Sequence, residues 1–398
     1  MKPLDFKVNG FLFSGISAGI KKNGKRDLGL IYSDVPAKVA GLFTTNAVKA
    51  ASVQLNLRRI KEGICQAVVV NSGNANACTG AQGLRDASRI SSLVAKRMGL
   101  KEKLVFTAST GVIGVPLPMK KIEERVPELI EALSPKGWMN TVESIMTTDT
   151  FPKVEVATCR IKGKQVKLCG MVKGAGMIRP DLATMLSFLV TDANFGTPLL
   201  QRMLKKAVEE SYNRITVDGE NSTNDTVLLL ANGKAGHCSL KIVDRDADIF
   251  QSMLSEVCQN LAKSVVKDGE GATKFFEVLI RGARNKEDAK QAAYTVAHSP
   301  LVKTAFFGED ANWGRILCAL GHSGARINPN RIDVFFNNTP IVKNGVGVNP
   351  RSEEKAAKVI KKKSFKVIVD LNQGESQFSV LTTDLSLDYV KINASYRS

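Results

Sequence analysis

No uninterrupted apolar stretch of this 398-residue chain approaches the roughly 20 residues that span a bilayer. The N-terminal segment, with Asp5 and a glycine-broken run over residues 10–20, lacks the continuous apolar core and small-residue cleavage site of a secretory signal. Both absences point to a cytoplasmic protein without a targeting segment or a membrane partner. Seven cysteines stand singly at 65, 78, 159, 169, 238, 258 and 318, with no C-x-x-C pair. An odd number of isolated thiols fits a reducing compartment rather than a disulfide framework. The three histidines, His237, His298 and His322, are not spaced as a metal pair on one helix or ribbon, and each reads as structural or exposed. No metal centre is therefore expected. Repeats and low-complexity segments are absent too.

Acidic residues are also scarce, 38 against 56 Lys and Arg, for a formal charge of +18. The deficit is uneven: residues 1–183 hold 14 acids against 28 bases, residues 184–398 hold 24 against 28. Such an excess raises the question of an anionic partner. Yet the bases are scattered in pairs such as Lys21-Lys22 and Lys120-Lys121. The one tight cluster, Lys361-Lys362-Lys363, ends a helix-like stretch, where cations suit the dipole. With no nucleic-acid motif beside them, they read as a solvated surface, and no nucleic-acid partner is expected.

What is present is organised around residues 173–193, KGAGMIRPDLATMLSFLVTDA. Its first half is glycine, proline and charge, the chemistry of a constrained loop. Its second half, from Thr184, is an apolar, partly β-branched run of strand length. Thr184 thus stands where a loop enters a buried strand. A Thr hydroxyl is a weak nucleophile without a base beside it; one solution is a Thr whose own α-amine is the base after the chain is cut before it, here after the small Ala183. From these residues alone a plain strand-starting Thr remains the simpler reading.

Along the chain, residues 27–33 and 41–46 read as separate apolar segments, and residues 64–70 as a buried strand feeding the small polar loop NSGNANACTG at 71–80. That loop could bind a polar ligand or be a plain turn. Leu84, Ala87, Ile90, Val94 and Met98 share one helix face, closed by Gly99. A strand over 104–106 opens into Thr107–Gly114, where the Thr110-Gly111 turn could aim a hydroxyl and an N–H at one point, as an oxyanion hole requires. Two helices follow over 117–133 and 138–146, then Thr147-Thr148-Asp149-Thr150 before Pro152. Strands over 154–158 and 165–172 make a hairpin. Beyond the central stretch the pattern predicts a helix from Thr197-Pro198 with Thr197 as cap, short strands at 214–217 and 227–230 around DGENSTNDT (218–226), and a long helix over 246–266. The DGENSTNDT loop is a plausible site wall; it fits no calcium-loop spacing. Next come a strand at 275–280, a helix at 286–297 capped by Asn285, a helix at 316–320, strands at 334–336, 365–371 and 377–381, and a helix around 356–360. Alternating strands and helices exclude an all-α or all-β class.

KGAGMIRPDLATML, NSGNANACTG, the Thr110-Gly111 turn, EGATK (270–274), GEDANWGR (308–315) and the terminal NASYRS together resemble the ornithine acetyltransferase family, the bifunctional glutamate N-acetyltransferases, over essentially the whole chain. The resemblance implies an α/β fold of the α-β-β-α sandwich type. It implies self-cleavage between Ala183 and Thr184 into an N-terminal chain, 1–183, and a C-terminal chain, 184–398, which associate as a heterotetramer of two of each. It implies Thr184 as nucleophile, Thr110 and Gly111 as the oxyanion hole, and Thr150, Lys173, Thr184, Glu270, Asn393 and Ser398 in contact with substrate. The implied reaction is arginine-biosynthetic acetyl transfer from N2-acetylornithine to glutamate through an acetyl-Thr184 ester, with no required cofactor or metal. Whether acetyl-CoA is a further donor is left open by these motifs. Two other readings compete: an aminopeptidase-type hydrolase, whose members generally carry Ser at the nucleophile where this chain has Thr184, and a nucleic-acid binder, which leaves KGAGMIRPDLATML unexplained.

Overall fold

The computed structural model describes residues 6–179 and 185–395. They fall into two compact units, the first comprising residues up to Asn213 with Glu220–Val265, the second Arg214–Gly219 with the residues from Val266 onward. This division lies within the second of the two chains expected from cleavage.

The first unit is built on an eight-stranded sheet of β1 (Phe11–Ile16), β2 (Leu28–Phe43), β3 (Ile64–Asn74), β4 (Val105–Val112), β5 (Lys153–Ile161), β6 (Lys164–Lys173), β7 (Leu186–Thr191) and β8 (Thr226–Ala231). Its helices are α1 (Ala51–Arg59), α2 (Gly80–Met98), α3 (Met119–Glu131), α4 (Trp138–Ile145), α5 (Thr197–Glu209) and most of α6 (Arg245–Lys267). The hydrogen-bonded order is β4-β3-β2-β8-β7-β6-β5, with β1 beside β2. The β3–β4 and β7–β8 pairs are parallel and the others antiparallel.

Alternation along β3 sorts the core. Val68 and Val70 join Trp138, Val142 and Ile145 of α4, whereas Ala67 and Val69 pack with Ile90 and Val94 of α2 and Ile122 and Val126 of α3. Leu261 and Val257 of α6 lie against β6 at Gly170, where a Cβ would come within 2.8 Å of Leu261 Cδ1. The two apolar segments at 27–33 and 41–46 prove to belong to one strand. β2 runs for 16 residues through Asp34-Val35-Pro36, with a register shift between Tyr32 and Ala37. A bulge accommodates proline without losing a ladder bond, which is why a stretch that reads as a break does not end the strand.

The second unit carries a six-stranded sheet of β9 (Phe275–Ala283), β10 (Asp333–Phe336), β11 (Thr339–Lys343), β12 (Val346–Gly347), β13 (Ser364–Asp370) and β14 (Ser376–Thr383), in the order β12-β11-β10-β13-β9-β14. Its helices are α7 (Lys286–His298), α8 (Pro300–Phe307), α9 (Trp313–Gly321), α10 (Pro350–Ile360) and α11 (Leu387–Ser395). Val278 and Ile280, Val334 and Phe336, and Val367 and Val369 all point to one face, which packs on the alanine-rich side of α7 and on Phe306. Asn285 caps α7 by accepting from Asp288 N–H, as its sequence predicts. The strand expected at 214–217 is instead a single-turn helix at 212–214 and a one-residue bridge, Ile215 to Leu381. Thr197 is the first residue of α5 rather than its cap. Helices α8 and α11 were not expected: α8 buries Val302, Ala305 and Phe306 on one face but is only eight residues long, and α11 carries Leu387 and Val390 on exposed positions and has no buried stripe. Among the described residues no helix is long and apolar enough to cross a membrane.

Phe276 stacks on Phe365 at 5.3 Å and meets Phe306 edge-on at 4.8 Å. Phe276→Ala should cost about 3–5 kcal/mol, read as a lower denaturant midpoint at unchanged slope. A loss below about 1 kcal/mol would show that this aromatic cluster does not hold the second unit together.

Candidate active site

Ala183, Thr184 and Ser398 lie outside the described residues. The structure does describe what flanks the first two, and in the first unit it gathers several distant segments there.

Lys173 ends β6 and is buried. Its Nζ donates to Thr110 Oγ1 at 2.9 Å and to Thr147 Oγ1 at 3.1 Å. Thr110 is likewise buried, on β4 rather than on a turn beyond it, because that strand continues through Val112 beside β3. A hydroxyl that accepts from an ammonium keeps its own proton for another acceptor, and the charge makes it a stronger donor. Gly111 has φ +131°, and a Cβ there would come within 2.4 Å of the Gly73 carbonyl carbon, so the close approach of the two strands demands glycine.

Asp149 supports this arrangement from below. Its carboxylate accepts from Thr147 N–H at 2.9 Å, Gly174 N–H at 2.8 Å and Lys153 Nζ at 2.7 Å, and the Asp149 and Lys153 side chains are both fully buried. Burial alone would raise the Asp149 pKa, but Lys153, Lys173 and the hydrogen bonds outweigh it, and the group is held below the usual carboxylate range. Lys21 is near enough to feel both Lys173 and Asp149. Burial lowers its pKa to about 8 against the pull of Asp27, with Lys173 lowering it further. Thr150, the residue expected to touch substrate, is exposed next to Asp149.

The chain that follows the central loop is fixed as well. Met185 N–H donates to Asp225 Oδ1 at 3.1 Å, Met185 O accepts from Thr226 N–H at 3.1 Å, and Leu186 pairs with both Lys173 and Thr226. Asn224 Nδ2 donates to Ser109 O and Ala75 O, both at 2.7 Å. The DGENSTNDT segment therefore does wall this region, but through the buried Asn224 and Asp225, which the sequence did not single out. The only signal was a carboxylate and an amide placed directly before an apolar strand. The NSGNANACTG segment turns its amides inward: Asn74 Nδ2 donates to Val115 O and Pro116 O, and Asn76 Nδ2 to Gly83 O. These side chains staple the ends of β3 and β4 rather than offering groups to a ligand.

In the second unit Glu270 and Asn393 are brought together, Asn393 Nδ2 donating to Glu270 Oε2 at 2.9 Å. The Glu270 turn is clasped from the start of α11. Asp384 Oδ1 accepts from Thr273 N–H and Lys274 N–H, each at 2.9 Å, and Ser386 Oγ donates to Gly271 O at 2.6 Å. Lys274 pairs with Glu309 at 2.7 Å, which joins the EGATK and GEDANWGR motifs. Lys303, buried, donates to Thr382 Oγ1 and Thr383 O; burial brings its pKa down to about 7 against the attraction of Asp384 and Asp218. Among the described residues no group of three or more His, Cys, Asp or Glu could hold a metal ion.

The sequence model of the ArgJ family matches residues 12–398. The arginine biosynthesis bifunctional protein ArgJ of Geobacter sulfurreducens is 52% identical over 98% of this chain and the whole of its own length. Its counterpart in Syntrophotalea carbinolica is 50% identical over 98% of this chain and likewise all of its own. The crystal structure of the bifunctional argJ protein of Bacillus halodurans is 40% identical, covering 52% of this chain and 96% of that one, with a TM-score of 0.49. The family model over residues 12–398 and the two relatives at 50% and 52% identity show that the chain belongs to the ArgJ family.

Proposed function

We propose that this chain is an acetyltransferase of arginine biosynthesis that carries acetyl from N2-acetylornithine to glutamate on its own Thr184. The observation that supports this most directly is the convergence of Thr110 and Asp225, distant in sequence, on Lys173 and Met185, which flank the central loop on either side. Thr184 Oγ first attacks the Ala183 carbonyl, and the Thr184 nitrogen leaves with a proton as a free α-amine; water then hydrolyses the resulting ester, releasing the Ala183 carboxylate and restoring the Thr184 hydroxyl. That amine has an ordinary pKa of about 8 and can act as base near neutral pH. In the transfer itself the Thr184 oxygen attacks the acetyl carbonyl of N2-acetylornithine, and ornithine leaves as the amine, taking a proton. The α-amine of glutamate then attacks the acetyl ester, and N-acetylglutamate departs as Thr184 Oγ regains its proton.

Each step passes through one tetrahedral oxyanion, so one hole serves them all, made by the Thr110 hydroxyl and the Gly111 N–H. Lys173 bears the charge that favours an amino-acid carboxylate, while Glu270 suits the ornithine side-chain amine. Thr150, Asn393 and Ser398 complete the substrate contacts. None of these steps needs a cofactor or metal. By the same family resemblance, the chains 1–183 and 184–398 assemble as a heterotetramer of two of each in the cytoplasm.

Mass spectrometry of the purified 43.1 kDa chain should give fragments 1–183 and 184–398, whereas Thr184→Ala should remain one inactive chain. A wild-type protein that stays whole while fully active would sink the scheme, since an uncut Thr184 has no α-amine. Initial rates with N2-acetylornithine and glutamate, without added cofactor, should give parallel double-reciprocal lines; intersecting lines would rule out the covalent carrier. Thr110→Ala should lower kcat by about 100- to 1,000-fold, the usual cost of one oxyanion donor. An unchanged kcat in the folded variant would remove Thr110 from the site.

A further inference from the structure

Asp225, with 1% of its surface exposed, immediately precedes β8. Its Oδ1 accepts from Met185 N–H at 3.1 Å. Thr226 N–H takes the carbonyl of the same Met185, so the residue that follows position 184 is gripped at both of its backbone groups. Asp225 is itself anchored, its carbonyl accepting from Thr44 N–H at 3.0 Å. One residue earlier, Asn224 is 5% exposed and reaches the other way, to the carbonyl of Ser109, which directly precedes Thr110. A single dipeptide thus ties the neighbour of the proposed nucleophile to the neighbour of the proposed oxyanion donor.

A buried acid is a costly way to hold backbone amides. The closing of β8 onto β7 needs no carboxyl, because Leu186 to Thr191 already pair with Thr226 to Ala231. Burial raises the Asp225 pKa well above the ordinary value, with the Met185 amide, Lys173, the Thr44 hydroxyl and the Ser222 amide pulling the other way.

We infer that Asp225 is a positioning residue for the acyl chemistry of this chain, holding the Met185 amide relative to the strand that carries Thr110. The inference rests on the reading of Thr184 as self-cleaving acyl carrier. It adds that the geometry of attack is set by the Asn224–Asp225 dipeptide rather than by the central loop. A misplacement of about 1 Å at a reacting group can cost on the order of 100-fold in rate without altering affinity.

The test compares wild type, Asp225→Asn and Asp225→Ala as full chains, following cleavage at 183–184 by mass spectrometry and then the kinetics of the cleaved proteins. Asp225→Asn keeps an uncharged acceptor for Met185 N–H and should cleave and transfer within a few-fold of wild type. Asp225→Ala should slow cleavage and lower kcat by roughly 10- to 100-fold, with KM for both substrates little changed. Circular dichroism establishes that each variant is folded. Should the Ala variant fail to fold, the Asn variant alone still decides: a folded Asp225→Asn that stays uncut or inactive overturns the inference. So does an Ala variant that cleaves and turns over like wild type, or one whose defect lies in KM alone. A wild-type chain that is active yet uncut overturns instead the underlying scheme, and the two failures are told apart by the wild-type mass.

Discussion

The first unit depends on one buried ammonium. Lys173 has left water at the end of β6, and removing such a charge from solvent costs several kcal/mol unless it is compensated. Two hydroxyls, Thr110 and Thr147, accept hydrogen bonds from it, and Asp149 supplies the opposite charge nearby while also binding Lys153. The cluster of Lys153, Asp149 and Lys173 therefore places buried ammonium groups beside the Thr110 hydroxyl. A site left with such a charge complements an anionic ligand, and both substrates of the proposed reaction carry a carboxylate. The same ammonium ties β4 to β6, so the arrangement of Thr110 is inseparable from the compensation of Lys173.

That tie constrains the sheet. β4 and β6 are separated by four strands in the hydrogen-bonded order. In a flat sheet they would stand about 24 Å apart, far beyond the reach of a lysine side chain. The contact requires strong coiling, and β2 provides it. Its first half pairs with β1 and β3, its second half with β8, and the register shifts between Tyr32 and Ala37. Bulges increase local twist and bend the strand that bears them. The bend lets the ends of β3 and β4 meet the start of β8, where Asn224 bridges to Ser109 and Ala75. Gly111 is required by the close approach of β4 to β3 at Gly73, whatever its part in chemistry.

In the second unit the motifs divide between support and surface. Lys274 and Glu309 form an ion pair, and Asp384 folds the residues after Glu270 by taking two of their amides. Those groups hold the turn. Glu270 and Asn393 are left partly or wholly exposed with a hydrogen bond between them. Gly271, at φ +66°, lies so close to Tyr389 N that a Cβ would clash at 2.4 Å, which fixes α11 against the turn.

Periodicity and turn chemistry determined much of this protein by themselves. The hairpin of β5 and β6, the helices α2, α5, α6 and α7, the cap at Asn285 and the buried β8 are all local patterns, written within a few residues of where they act. Motif resemblance supplied the family and the candidates Thr110, Gly111, Lys173, Glu270 and Asn393. Three things required tertiary structure. The continuity of β2 depends on partners on both sides of a proline-containing bulge, none of them local. The inward-facing amides of residues 71–80 look like ligand groups until the carbonyls of Gly83, Val115 and Pro116 are placed beside them. Asp149, Asn224 and Asp225 act through burial and through contacts up to 149 residues distant in the chain. A carboxylate or an amide in a polar loop has the same local sequence whether it faces water or closes a core, because its energy is set by what surrounds it and not by its neighbours in the chain.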